Sequence, residues 1–138
     1  MVVGVEMVDK LLQAQVSLFL TNFKDCASKG KVDFSEVNVK TTRFLRSIGW
    51  TVRAMNNYVL NNIESKHYFR GPTDHHRKYE RTVTEFGMTL EVEGEIHKMY
   101  IKLELIIQNE EFISGYMSFH PREKEILNFP LDEKGEVI

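Results

Sequence analysis

The stretch Lys98-Met99-Tyr100-Ile101-Lys102-Leu103-Glu104-Leu105-Ile106-Ile107 alternates polar and apolar residues through its first eight positions. Successive side chains of a strand point to opposite sides of a sheet. Met99, Ile101, Leu103 and Leu105 therefore form one buried row, and Lys98, Tyr100, Lys102 and Glu104 point away from it. A strand with one wet face belongs to an antiparallel sheet that covers a core on its other side.

The neighbours on either side have the same character. Thr84–Val92 reads as a strand joined to this one around Gly94, and Phe112–Phe119 as a third, joined by the tight connection Gln108-Asn109-Glu110-Glu111. In the third strand Ile113, Gly115, Met117 and Phe119 are expected to face inward, and Ser114, Tyr116, Ser118 and His120 outward. Pairing with matched faces then gathers Tyr100, Lys102, Tyr116, Ser118 and His120 on one surface, since a one-residue slip would bury the polar set. Ahead of the sheet, Arg70-Gly71-Pro72-Thr73-Asp74 is read as a turn rather than a regular element, because Gly and Pro are adjacent with Asp just after.

Further toward the N-terminus the period changes from two to 3.6. Val8, Leu11, Leu12, Gln15, Phe19 and Phe23, widened by Val16 and Leu20, predict a long amphipathic helix from Glu6 to about Ser28, stopped at Gly30. Lys31–Ser35 is a candidate short strand. Two helices follow: one capped by Thr41 or Thr42, running through Phe44, Leu45 and Ile48 to Gly49, and one capped by Thr51 that carries Val52, Met55, Val59, Leu60 and Ile63. Trp50 between them reads as core or hinge packing. Helices first and a meander second make an α+β fold, with the N-terminal helices on one face of a C-terminal antiparallel sheet. One domain is expected over 1–138: a long helix in 1–30, a short strand and helix pair in 31–63, turn and sheet in 64–121, and an irregular, fraying arm in 122–138.

Composition narrows the function classes. The chain has 138 residues, 42% hydrophobic and 28% charged, which is ordinary for a globular protein. The lone Cys26 has no disulfide partner, the N-terminus has no basic leader, and the longest apolar runs (Val16–Leu20, Leu103–Ile107) fall far short of the roughly 20 residues a bilayer needs. A cytoplasmic protein with no membrane partner is expected. Net charge is −2, yet Lys66–Arg81 holds five basic residues (Lys66, Arg70, Arg77, Lys78, Arg81) against Asp74 and Glu80, with His67, His75 and His76 among them. A basic patch on an acidic chain suggests an anion site. Asp74-His75-His76 offers ligand types, but two adjacent histidines converge poorly on one metal, so no metal or other cofactor is expected.

The outward face holds a fixed cation, phenols and an imidazole. Lys102 suits a phosphate, His120 exchanges a proton near neutrality, and the tyrosines offer a hydrogen bond or a stacking platform for a base. That set suits phosphodiester transfer in RNA, with the ribose 2′-OH as nucleophile. An ordinary solvent-facing sheet also carries Lys, Tyr, Ser and Glu, and a His beside Pro121 also ends a strand.

Four segments in order sharpen the reading: Ser47-Ile48-Gly49-Trp50-Thr51 with its helix to Ile63, His67-Tyr68-Phe69-Arg70-Gly71-Pro72, Met99-Tyr100-Ile101-Lys102-Leu103, and Met117-Ser118-Phe119-His120-Pro121. The set resembles the MqsR family of type II toxins, in which a helix pair leads to a Tyr-Lys-Gly-Pro-like turn, a Val-Tyr-Ile-Lys strand and a final Ser-Phe-(His/Lys) strand. The resemblance spans Val32 to Pro130. It implies a RelE-like fold and a metal-independent, mRNA-cleaving toxin that acts on an RNA substrate and is held inactive by a cognate antitoxin protein. Carried over, Tyr100, Lys102 and His120 are the catalytic candidates. Arg70, Tyr68, Phe69, Tyr116, Arg77 and Lys78 are the substrate-binding ones. Two departures stand out. Phe69 lacks the hydroxyl of the family's tyrosine, so any phenol role passes to Tyr68 or is absent, and Arg70 keeps the charge but cannot act as an acid near pH 7. The alternative is a non-catalytic module that binds a protein partner through the same sheet.

Overall fold

The computed structural model describes residues 2–74 and 80–137. His75, His76, Arg77 and Lys78 lie outside the described residues. The described chain contains three α-helices, α1 (Val2–Ser28), α2 (Val39–Ile48) and α3 (Val52–Asn62), and a 3₁₀ turn at Ser65–His67. Its strands are β1 (Val32–Asp33), β2 (Tyr68–Asp74), β3 (Arg81–Val92), β4 (Glu95–Gln108) and β5 (Glu111–Pro121). The class is α+β, and the sheet runs β1-β5-β4-β3-β2.

Helix α1 packs its stripe of Leu12, Val16, Phe19, Leu20, Phe23 and Ala27 on the inner face of the sheet. Leu11, placed in that stripe by spacing, is 62% exposed, because the buried line follows steps of three and four from Leu12. The opposing face is Phe86, Met88 and Leu90 of β3 with Met99, Ile101, Leu103 and Leu105 of β4, as the alternation requires. Gly30 ends the helix at φ +80°, a conformation glycine adopts freely. Thr51 caps α3 as expected, whereas α2 is capped by Asn38. Thr41 sits inside the first turn of α2, fully buried, where its Oγ1 accepts from the Phe119 N–H. Trp50 packs on Tyr58 and Phe119.

Three features correct the sequence reading. The sheet is mixed rather than antiparallel, because β1 lies parallel to β5 (Val32 opposite Ser114, Asp33 opposite Gly115). Beyond those two residues the cap of α2 covers the same edge: Asn38 N–H donates to Met117 O, and Asn38 Nδ2 to Ser118 Oγ at 2.9 Å. Second, Arg70–Asp74 is not a bare turn. It belongs to β2, an irregular edge strand whose pairing with β3 shifts twice. Pro72 lacks an N–H, which an outer edge does not need. Gly71, at φ +100°, brings its backbone so close to β3 that a Cβ would stand 2.6 Å from Val83 O. Third, β5 bulges. Leu103 pairs with Tyr116, but Lys102 pairs with Ser118, which leaves Met117 as the extra residue. Side chains of β5 therefore change faces midway. Ser118 and His120 point outward as expected; Ser114 and Tyr116 point inward.

The C-terminal arm has no helix or strand over 122–137 and is mostly exposed, with Ile126 and Phe129 turned onto the sheet. It crosses the outer face at Gly87, where an added Cβ would meet Ile126 Cδ1 at 2.5 Å and Phe129 at 3.1 Å. No helix among the described residues is long and apolar enough to cross a membrane.

Candidate functional site

On the outer face of the sheet a cleft of about 920 Å³ opens between the first turn of α2, the strands and the arm. Its floor is Tyr100, Ser118 and His120, its β2 side Phe69 and Arg70, and its other wall Asn38–Lys40 and the arm from Arg122 to Asn128. Tyr100 and His120 are direct partners across β4 and β5, and their rings lie 5.6 Å apart. Counting from the Asn109-Glu110 turn without a bulge would set Phe119 there instead. The extra residue at Met117 is what brings the imidazole beside the phenol.

His120 Nδ1 lies 2.9 Å from Pro121 O. A carbonyl only accepts, so in the neutral ring Nδ1 carries the proton and Nε2 presents the lone pair. Ser118 is held by Asn38, and both it and His120 are buried, 5% exposed each. Phe69 faces the cleft, its ring 6.1 Å from that of Tyr100, and the Arg70 guanidinium lies 5.4 Å over the same ring, a cation–π contact.

The anionic centre of this surface is Glu85 on β3. Arg70 grips it with two N–H groups, Nε to Oε2 and Nη2 to Oε1 at 2.6 Å, and the Tyr100 hydroxyl donates to Oε1. Burial pushes the Glu85 carboxyl up, but the hydrogen bonds from Arg70 and Tyr100 and the charges of Arg70 and Lys102 outweigh it, so the group sits below its ordinary range. Burial first, and then the bond to Glu85, raises the Tyr100 phenol. Lys102 stands opposite Glu85 on one side and Ser118 on the other. It lies one cross-strand row, about 7 Å along β4, from Tyr100, next to the cleft rather than in its lining.

Tyr100, His120, Ser118, Arg70 and Phe69 thus share one cleft, with Lys102 on its border. Tyr68 and Tyr116 do not join them. Tyr68 starts β2 opposite Phe86, turned inward, with its hydroxyl donating to Gly71 O. Tyr116, beyond the bulge, is buried under α1 and α3 and donates to Asn56 Oδ1 at 2.7 Å. Arg77 and Lys78 are outside the described residues. Glu85 was not among the residues singled out from the sequence, although the register would have found it: a two-residue turn at Glu93-Gly94 sets Val92 opposite Glu95 and hence Glu85 opposite Lys102. Among the described residues no group of three His, Cys, Asp or Glu side chains converges as a metal site. The chain matches no protein-family model, no curated protein and no solved structure.

Proposed function

We propose that this chain is a RelE-like, metal-independent endoribonuclease of the MqsR kind, the toxin of a cytoplasmic type II pair restrained by a cognate antitoxin. One observation carries the reading. His120 Nδ1 lies 2.9 Å from Pro121 O in a cleft the ring shares with Tyr100, so that in the neutral ring Nε2 is the nitrogen with a lone pair to offer. In the proposed reaction His120 Nε2 takes the proton of a ribose 2′-OH. The 2′-oxygen bonds to the adjacent phosphorus, and the P–O5′ bond breaks. The 5′-oxygen leaves with a proton from solvent, giving a 2′,3′-cyclic phosphate and a 5′-hydroxyl. Lys102 and the outward N–H groups of Arg70 stabilise the charge that builds on the phosphoryl oxygens.

Primer extension on total RNA after induced expression tests this. The wild type is expected to produce discrete new 5′ ends. His120→Ala and Lys102→Ala are each expected to lower the cleavage rate at least ~100-fold with an unchanged circular dichroism spectrum. Full activity of both variants would sink the assignment.

A second reading has its own support. Arg70 is already engaged by Glu85, and Val39 and Leu127 are exposed on the rim of the cleft. A non-catalytic module that binds a protein segment there would cleave no RNA at any concentration, and its stoichiometric complex would survive His120→Ala.

A further inference from the structure

We propose that Glu85 is the positioning residue of the cleft, fixing the Tyr100 phenol and the Arg70 guanidinium beside His120 without touching substrate. The inference rests on the nuclease reading for its catalytic consequence. Its structural part stands on the geometry alone.

Three strands meet at this carboxylate. Glu85 on β3 has Arg70 of β2 opposite it on one side and Lys102 of β4 on the other, and Tyr100 reaches it from one row along β4. Its side chain is only 10% exposed, whereas that of Arg70 is 64% exposed. A carboxylate this covered on the outer face of a sheet is costly unless its oxygens are satisfied, and here three donors satisfy them. None of those donors is contributed by α1, α2 or α3, so the cluster does not tie the helices to the sheet. Its work is confined to the floor of the cleft.

Two consequences follow for the groups that meet substrate. Because the phenol proton is directed at Glu85, the Tyr100 oxygen faces the cleft as an acceptor, suited to a ribose hydroxyl rather than to a phosphoryl oxygen. Of the five N–H donors of Arg70, the two that bind Glu85 are fixed, which leaves three to turn outward in one plane. Glu85 thus sets which atom each group offers. It also cancels part of the positive charge that would otherwise bind any polyanion without selection.

The test is Glu85→Gln in the full chain, read in two independent ways. Spectrophotometric titration, with Tyr100→Phe subtracted to isolate the phenol, is expected to show Tyr100 ionising at lower pH in the variant than in the wild type. Steady-state cleavage of a short RNA is expected to show kcat reduced at least ~30-fold while KM changes less than ~3-fold, with Glu85→Asp recovering part of the loss because it keeps the charge. An unshifted phenol titration overturns the proposal whatever the kinetics do. So does a shifted titration with unchanged kcat. If the wild type cleaves no RNA, the nuclease reading fails on its own, and the titration alone then decides whether Glu85 positions Tyr100.

Discussion

The two hairpins that share β4 start alike and end differently. Each turns through two residues of positive φ, Glu93 and Gly94 in one, Asn109 and Glu110 in the other, the conformation that suits tight hairpins. The β3–β4 hairpin then keeps a single register from Val92–Glu95 to Arg81–Ile106. The β4–β5 hairpin keeps its register only as far as Leu103–Tyr116 and slips by one residue before Lys102–Ser118. In the regular hairpin the turn alone decides which side chains are buried. In the bulged one, Ser114 and Tyr116 lie under the helices while Ser118 and His120 lie on the opposite face. Glu85 comes from the regular hairpin and His120 from the bulged one, and the cleft forms where they meet across Tyr100.

The largest effect expected from breaking this contrast is at Tyr116. Two tyrosines that strand alternation assigns to one surface have opposite fates, so identical substitutions should separate them. Tyr116 is 1% exposed, its ring 5.4 Å from those of both Phe23 and Phe34. Tyr116→Ala is expected to cost about 3–5 kcal/mol of stability, as a large core truncation does. Tyr100→Ala, half-buried on the outer face and a donor to Glu85, should cost less, about 1–2 kcal/mol, and act on cleavage as well. Urea denaturation of both variants compares them directly. Equal losses would mean that β5 has no bulge.

How much of this could be read from the chain follows the same line. Tyr100 and Lys102 are legible because their strand alternates cleanly between a wet face and a dry one. The segment Ile113–His120 is not, since Ile113, Met117 and Phe119 fall on one parity and Tyr116 on the other, and no local signal marks Met117 as the extra residue. The slip is matched by long-range contacts from Asn38, the cap of α2, and Thr41 in its first turn, which period counting cannot see. Two residues of parallel pairing in β1 leave no periodicity at all. Gly71 and Pro72 announce a break, yet an edge strand tolerates both. Glu85 was within reach of register arithmetic from the first turn, but a glutamate between Thr84 and Phe86 resembles any solvent-facing strand residue until its partners are counted.

A smaller effect probes the stretch of β5 before the bulge. Gly115 lies opposite Glu104, and a Cβ there would stand 2.5 Å from Glu104 Cγ and 2.7 Å from Oε1. Glu104 is fully buried and held by Arg81 at 2.8 Å, so it has little room to yield. Gly115→Ala is expected to cost about 1–3 kcal/mol in urea denaturation. Gly87→Ala, on the regular hairpin, should cost less, because its closest obstacle is the far end of Ile126 on the arm. A larger loss at Gly87 would reverse that ranking.

The smallest expected effect is a dependence on pH that sets the two outer-face glutamates against each other. Glu85 is held below its ordinary value, so its contribution to stability is present at neutral pH and lost as pH falls through the folded-state value. Glu104 is the opposite case. Burial pushes its carboxyl up, Arg81 offsets part of this, and Glu36 and Asp33 add to the rise. Its Oε2 is buried without a hydrogen-bond partner. The folded protein therefore binds a proton here more readily than the unfolded chain does. Stability from this group is complete below the unfolded value and declines as pH rises through the folded one. Glu104→Gln keeps the acceptor for Arg81 and removes the titration. Relative to wild type, the variant should gain stability as pH rises from 4 to 7, in urea denaturation run across that range. Glu85→Gln should move the other way over a lower interval: its deficit is level from neutral pH down to the ordinary carboxylate value and shrinks as pH falls below it. Parallel trends for the two variants would show that the Arg81 contact outweighs burial at Glu104, and that both hairpins carry carboxylates of the same kind.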